Sequence, residues 1–174
     1  MSKAVMLSIR PKWCEKIANS EKTIEVRKTR PKMNTPFKCY IYCTLPKYPH
    51  EDFIATDYPM PQFYGGGKVI GEFVCDCITP LYNVCMDDWK RLAGGLHNIE
   101  KELVNQACLT EAKLHTYAGG KNCFAWHISD LLIYDQPKGL DEFTRLRETK
   151  FGSEPVTIKR PPQSWCYVEA MKDE

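Results

Sequence analysis

The stretch NSEKTIEVRK, residues 19–28, decides how the chain is read. Asn19 and Ser20 are turn and helix-ending residues. Thr23-Ile24-Glu25-Val26-Arg27 then alternates polar and apolar, the period-two pattern of a half-buried strand. Ile24 and Val26 would face one way, and Thr23, Glu25 and Arg27 the other. An acid and a base two residues apart would share one face with Lys22 at its mouth. Either that face is merely solvated or it is a site.

Working outward, AVMLSI (residues 4–9) predicts a strand. Pro11 opens a short helix, because the first turn needs no N–H from it. Trp13, Cys14 and Ile17 give this helix its apolar stripe. Residues 30–36 read as a loop. FKCYIYCTL (37–45) reads as a strand rich in aromatic and β-branched side chains. Residues 46–67, with four prolines and three consecutive glycines, predict a long loop, of a length that is usually functional or disordered. Residues 68–78 read as one long strand in which Gly71 marks a bulge.

The pattern turns helical over about 86–118. One helix is expected around Trp89 and Leu92, and another opens at Thr110-Glu111 and breaks at Gly119-Gly120. Residues 122–135 predict a strand or strand pair. LDEFTRLR reads as a short helix or turn, and SWCYVEA as the final strand. Mainly strands with inserted helices predict an α+β fold built on a small mixed barrel rather than a doubly wound sheet.

Length and composition suit one domain over residues 1–174: 43% of residues are apolar and 26% charged. No apolar run approaches the ~20 residues that span a bilayer. The N-terminal apolar stretch is too short for a signal peptide, which predicts a cytoplasmic protein with no membrane partner. The nine cysteines are an odd number, and none of their spacings forms a pair of zinc knuckles. Reduced, packed thiols are expected, with no metal and no cofactor. The net charge of +2 conceals an asymmetry. Residues 1–47 hold 11 Lys and Arg against 3 Asp and Glu, a local +8, and the remainder carries −6. A basic segment of this kind suits a polyanionic partner.

Ser8-Ile9-Arg10-Pro11, a helix, and then Ser20-x-Lys22-Thr23-x-Glu25-x-Arg27 resemble the ASCH domain family, a branch of the PUA-like fold. GGGKVIGEF (65–73), FAWHISDLLIYDQPKGLDEF (124–143) and RPPQSWCYVE (160–169) extend the likeness to bacterial and prophage-associated members. It is weaker over 46–64 and 81–106, and Ser20 stands where glycine is commoner. The resemblance implies a PUA-like β-barrel with flanking helices and a cleft beside the first helix. It also implies RNA or a modified nucleoside or nucleotide as partner. Some members are amidohydrolases of N4-acetylcytidine, and some are linked to RNA cleavage.

In those amidohydrolases the resemblance implies a catalytic Lys, a Thr nucleophile on the next strand and a Glu from a helical region. Lys22 matches the Lys. Glu25 occupies the Thr position, and Thr23 lies one strand repeat, about 6–7 Å, away. Glu102 is available for the acid. If the chain is an enzyme, Lys22 and Glu25 are its candidate catalytic residues, with Glu25 as a general base on water.

The remaining candidates follow from their chemistry. Arg27 offers a planar fork for phosphate, and Thr23 a hydroxyl. Ser8 and Arg10 stand at the start of the first helix, where an anion is favoured. Trp126 and Trp165 offer faces for stacking on bases, and His127 can bond a base edge or move a proton. The glycine run before Lys68 precedes a strand and lacks the Lys-Ser/Thr ending of a phosphate loop, so it reads as a hinge. The leading expectation is an RNA- or modified-nucleotide-binding module. A hydrolase of the same fold and a protein-interaction module are the alternatives.

Overall fold

The computed structural model describes residues 2–48, 51–56, 63–81 and 98–171. The chain divides into two compact units. The helix expected around Trp89 and Leu92 lies outside the described residues.

The first unit comprises residues 1–19, 37–74 and 130–174. Its main sheet contains β1 (Lys3–Ile9), β3 (Phe37–Cys43), β6 (Lys68–Cys75), β9 (Ser129–Lys138), β10 (Thr144–Thr149), β11 (Gly152–Thr157) and β12 (Trp165–Glu169), in the order β11-β10-β12-β1-β3-β6-β9. β1 runs antiparallel to β12 and parallel to β3, where Val5 faces Cys39 and Ile9 faces Cys43. The sheet is therefore mixed, as expected.

β1 and β3 are almost continuously buried. That is how strands covered on both faces read in sequence. Ala4, Met6, Tyr40, Tyr42, Phe143 and Val168 belong to one apolar cluster on this sheet. Helix α1 (Pro11–Ala18) buries Cys14 and Ile17, with Pro11 at its first position. Asn19 closes it, donating from Nδ2 to the carbonyls of Glu15 and Ala55.

The expected loop at 46–67 contains a two-stranded pair, β4 (Phe53–Ile54) and β5 (Phe63–Tyr64). The glycine run forms the turn into β6. Its three N–H groups bond Asp52 O, Asp52 Oδ2 and Cys43 O, so none points outward to cradle a phosphate. At Gly71 an added Cβ would lie 2.4 Å from the Leu132 carbonyl oxygen. Glycine there serves a close approach of two strands.

LDEFTRLR resolves into a 3-10 turn (Leu140–Glu142) followed by strand β10. Its hairpin partner β11 is exposed throughout, and so shows no apolar alternation from which sequence could find it.

The second unit comprises residues 20–36 and 75–129. It contains a three-stranded antiparallel sheet, β2 (Ile24–Arg27), β8 (Phe124–His127) and β7 (Ile78–Pro80), with β8 central. The single strand expected over 68–78 is broken at Asp76-Cys77 into β6 and β7. Ile24, Val26 and Ala125 pack with Val104, Ala107, Leu114 and Ala118 of the segment formed by helices α2 (Asn98–Gln106) and α3 (Glu111–Ala118) and the residues just after α2.

Thr110 caps α3, its hydroxyl accepting the Lys113 N–H, and Gly119 ends it in the left-handed conformation at φ +57°. Ser20 also has positive φ, +58°. This explains why glycine suits that position, where a side chain carries a steric cost.

Candidate functional site

Lys22, Thr23, Glu25, Arg27, Trp126 and His127 all fall in the second unit. Strand alternation works as the sequence indicates: Ile24 and Val26 enter the apolar cluster, and Glu25 and Arg27 take the other face. The register places Trp126 opposite Glu25 and Phe124 opposite Arg27, so these four side chains share that face.

The face is not solvated. Lys22, Glu25 and Arg27 are 3%, 8% and 7% exposed, so the plain strand-face reading is overturned. Thr23 is half-buried and precedes β2. Its backbone ties the sheet to its neighbours, the N–H donating to Gln106 O and the carbonyl accepting from Ile128 N.

Glu25 lies between two cations. Its Oε2 is 3.2 Å from Lys22 Nζ, and its Oε1 is 2.9 Å from Arg27 Nη2. Lys22 also donates to the carbonyls of Ile24 (2.7 Å) and Ala107 (2.9 Å), so a backbone cage fixes its ammonium. Among the described residues the buried charged side chains are Lys22 and Arg27 with Glu25 and Glu100, two of each sign.

Such burial is expensive, several kcal/mol per ion even after relaxation, and apolar replacements are often as stable. Stability alone gives no reason to bury three charges here. Tyr117 of α3 borders the triad. Burial first, and Glu25 next among the raising influences, push its phenol above the ordinary range, while Arg27 opposes them. Lys28, exposed just beyond β2, places its ammonium 5.1 Å from the Tyr117 ring centroid.

Trp126 is wholly buried, so it forms a wall behind Glu25 and offers no open face to a base. His127 is about half exposed. Its Nδ1 meets Asp76 Oδ1 at 2.6 Å, and its backbone N–H donates to Cys77 O. Asp76 went unnoticed in the sequence because its partner is 51 residues away; an acid at a strand break is too common a signal to single out.

On α2, Glu102 is exposed and accepts from Gln106 Nε2, whereas Glu100 is the buried acid of that helix.

Ser8, Arg10 and Trp165 belong to the first unit. The Ser8 hydroxyl donates to Pro162 O, which anchors the lead into β12. Arg10 is exposed at the N-cap of α1 without a side-chain cap bond. Trp165 is half-buried with its edge toward Tyr167, the ring centroids 5.3 Å apart.

Cys39 and Cys43 are buried on β3, as packed thiols should be. Cys75 is buried and Cys77 exposed, because the strand ends between them.

No helix among the described residues is long and apolar enough to cross a membrane. Neither a family model nor a curated protein matches the chain. Solved structures of an ASCH protein from Zymomonas mobilis do. One is 18% identical over 95% of this chain and 87% of that one, with a TM-score of 0.50. A point mutant of it is 20% identical over 95% and 88%, with a TM-score of 0.54. A second point mutant is 18% identical over 97% and 91%, with a TM-score of 0.51. The chain has the ASCH, PUA-like fold.

Proposed function

We propose that this ASCH-fold chain binds RNA or a modified nucleotide, and that the Lys22–Glu25–Arg27 triad is its recognition centre. The observation that carries this reading is the buried Lys22–Glu25–Arg27 network with the Tyr117 ring and the exposed Lys28 ammonium beside it. An anion at its edge would meet a preorganised guanidinium that Glu25 already holds in place. Tyr117 and Lys28 stand beside it, an aromatic ring and an exposed ammonium suited to a base and a phosphate.

Anisotropy of a labelled short single-stranded RNA tests the reading. Wild type should bind, and binding should weaken with salt as counterions return to the phosphates. Arg27→Ala should weaken it at least about tenfold, the loss of one charge-assisted contact. Equal binding by the two proteins would reject the triad as the site.

A hydrolase reading draws on the Asp76–His127 pair, a half-exposed imidazole oriented by a carboxylate, which is the arrangement of an acid–base group. Glu25 is less suited to act as a base, since each of its oxygens already faces a cation. N4-acetylcytidine left intact by concentrated protein would reject that nucleoside as the substrate.

A further inference from the structure

We propose that the β10–β11 hairpin of the first unit is a second nucleic-acid contact, with Phe151 at its tip as a stacking platform for an unpaired base. The inference rests on the nucleic-acid reading above, but on different residues. Phe151 is 98% exposed. Scattered exposed apolar residues are ordinary, but this one is held in place by its own turn. The Thr149 hydroxyl accepts the Phe151 N–H at 3.2 Å and donates to Gly152 O at 2.8 Å. Behind the tip, six register pairs run from Thr149↔Gly152 to Thr144↔Thr157. The ring is therefore carried on a turn whose backbone is already bonded, so little backbone ordering entropy is lost when something stacks on it.

Charge and edge chemistry select the occupant. Residues 144–160 carry Arg145, Arg147, Lys150, Lys159 and Arg160 against Glu148 and Glu154, a local +3 that exceeds the +2 of the whole chain. All five cations are exposed. Arg147 pairs with Glu154 at 2.9 Å, but both side chains are more than half exposed, so the pair is weak and open to exchange for a phosphate. β11 is the outer strand of the sheet, where a second copy could add a strand. Pro155 in its middle lacks an N–H and blunts that edge against strand addition. An aromatic tip flanked by cations on a blunted edge fits a single strand, whose bases are free to stack; paired bases in a duplex are not.

The test uses the full chain and a short single-stranded RNA carrying 2-aminopurine. Phe151→Ala should weaken binding about tenfold and abolish the stacking quench of the fluorophore. Phe151→Trp should retain both, and Phe151→Leu should lose the quench. Lys150→Ala should reduce the slope of log affinity against log salt by about one. Arg27→Ala is measured in parallel. Loss with Arg27→Ala but not with Phe151→Ala overturns the hairpin site alone. Loss with Phe151→Ala but not with Arg27→Ala overturns the triad reading and leaves the hairpin. Equal binding by the Ala and Leu variants and wild type shows that no base stacks on Phe151.

Discussion

Replacing Glu25 by Gln tests whether the triad is a desolvated network. The change keeps the shape of the side chain and removes its charge. Two cations then remain inside the fold, Lys22 and Arg27, with side chains 3% and 8% exposed. Removing one partner of a buried pair costs roughly 3–5 kcal/mol, because the other charge is left uncompensated. Here one carboxylate serves two cations, which raises the cost. Lys22 keeps its two carbonyl acceptors, which moderates it. The expected loss is about 4 kcal/mol. For a chain of this size each kcal/mol moves the midpoint by about 2–4 °C, so Tm should fall by roughly 8–16 °C.

Arg27→Met leaves a neutral Lys22–Glu25 pair and should cost about half as much. The triple change Lys22→Met, Glu25→Leu, Arg27→Met removes the three charges of the triad at similar volume. It should melt above Glu25→Gln but below wild type, because no charge of the triad is left uncompensated while the Ile24 and Ala107 carbonyls lose their Lys22 donor, and it should lose RNA binding. Thermal and urea unfolding followed by circular dichroism read all three variants. A Glu25→Gln loss below about 1 kcal/mol would mean that water solvates the carboxylate, and the argument from buried charge would fail.

Other predictions concern separate features. Burial, with Asp76 adding to it, pushes the Cys75 thiol up to about 12, and burial pushes Cys166 up to about 11. Folded-state values above the ordinary 9.0 favour the neutral thiol, so their contribution is present below that pH and lost as pH rises through about 11 to 12. Alkaline titration of the melting temperature should show the fall beginning above the ordinary thiol value. At neutral pH, peptide mapping after brief alkylation should find Cys77 modified first among the described cysteines, as their exposed member. Nitrogen NMR of neutral His127 should show the proton on Nδ1, held by Asp76, and Asp76→Ala should redistribute it to both tautomers. Gly119→Ala meets open space, so only its left-handed φ is penalised, and urea unfolding should show a loss of about 1 kcal/mol.

Much of this protein was legible in sequence where local rules hold. Alternation marked β2, and runs of apolar, aromatic and β-branched residues marked β1, β3 and β12. Pro11 marked the start of α1, and Thr110 and Gly119 marked the ends of α3. The same alternation put Glu25 and Arg27 on one side of β2. These features depend on neighbours within a few residues, which sequence supplies directly. Features without such a signature are not legible: LDEFTRLR reads as a helix or turn although β10 begins within it, and β11 has no apolar face to alternate.

Tertiary structure alone decided the character of the site. Whether a Glu-x-Arg face meets water or is buried depends on which elements lie against it. Only the fold brings Ala107 O to Lys22, Trp126 opposite Glu25 and Asp76 to His127, across 85, 101 and 51 residues. The cost of a charge is set by its dielectric surroundings, and chain neighbours do not report those. Sequence therefore named Lys22, Glu25 and Arg27, and the fold turned them from a possible surface pair into a buried ionic network.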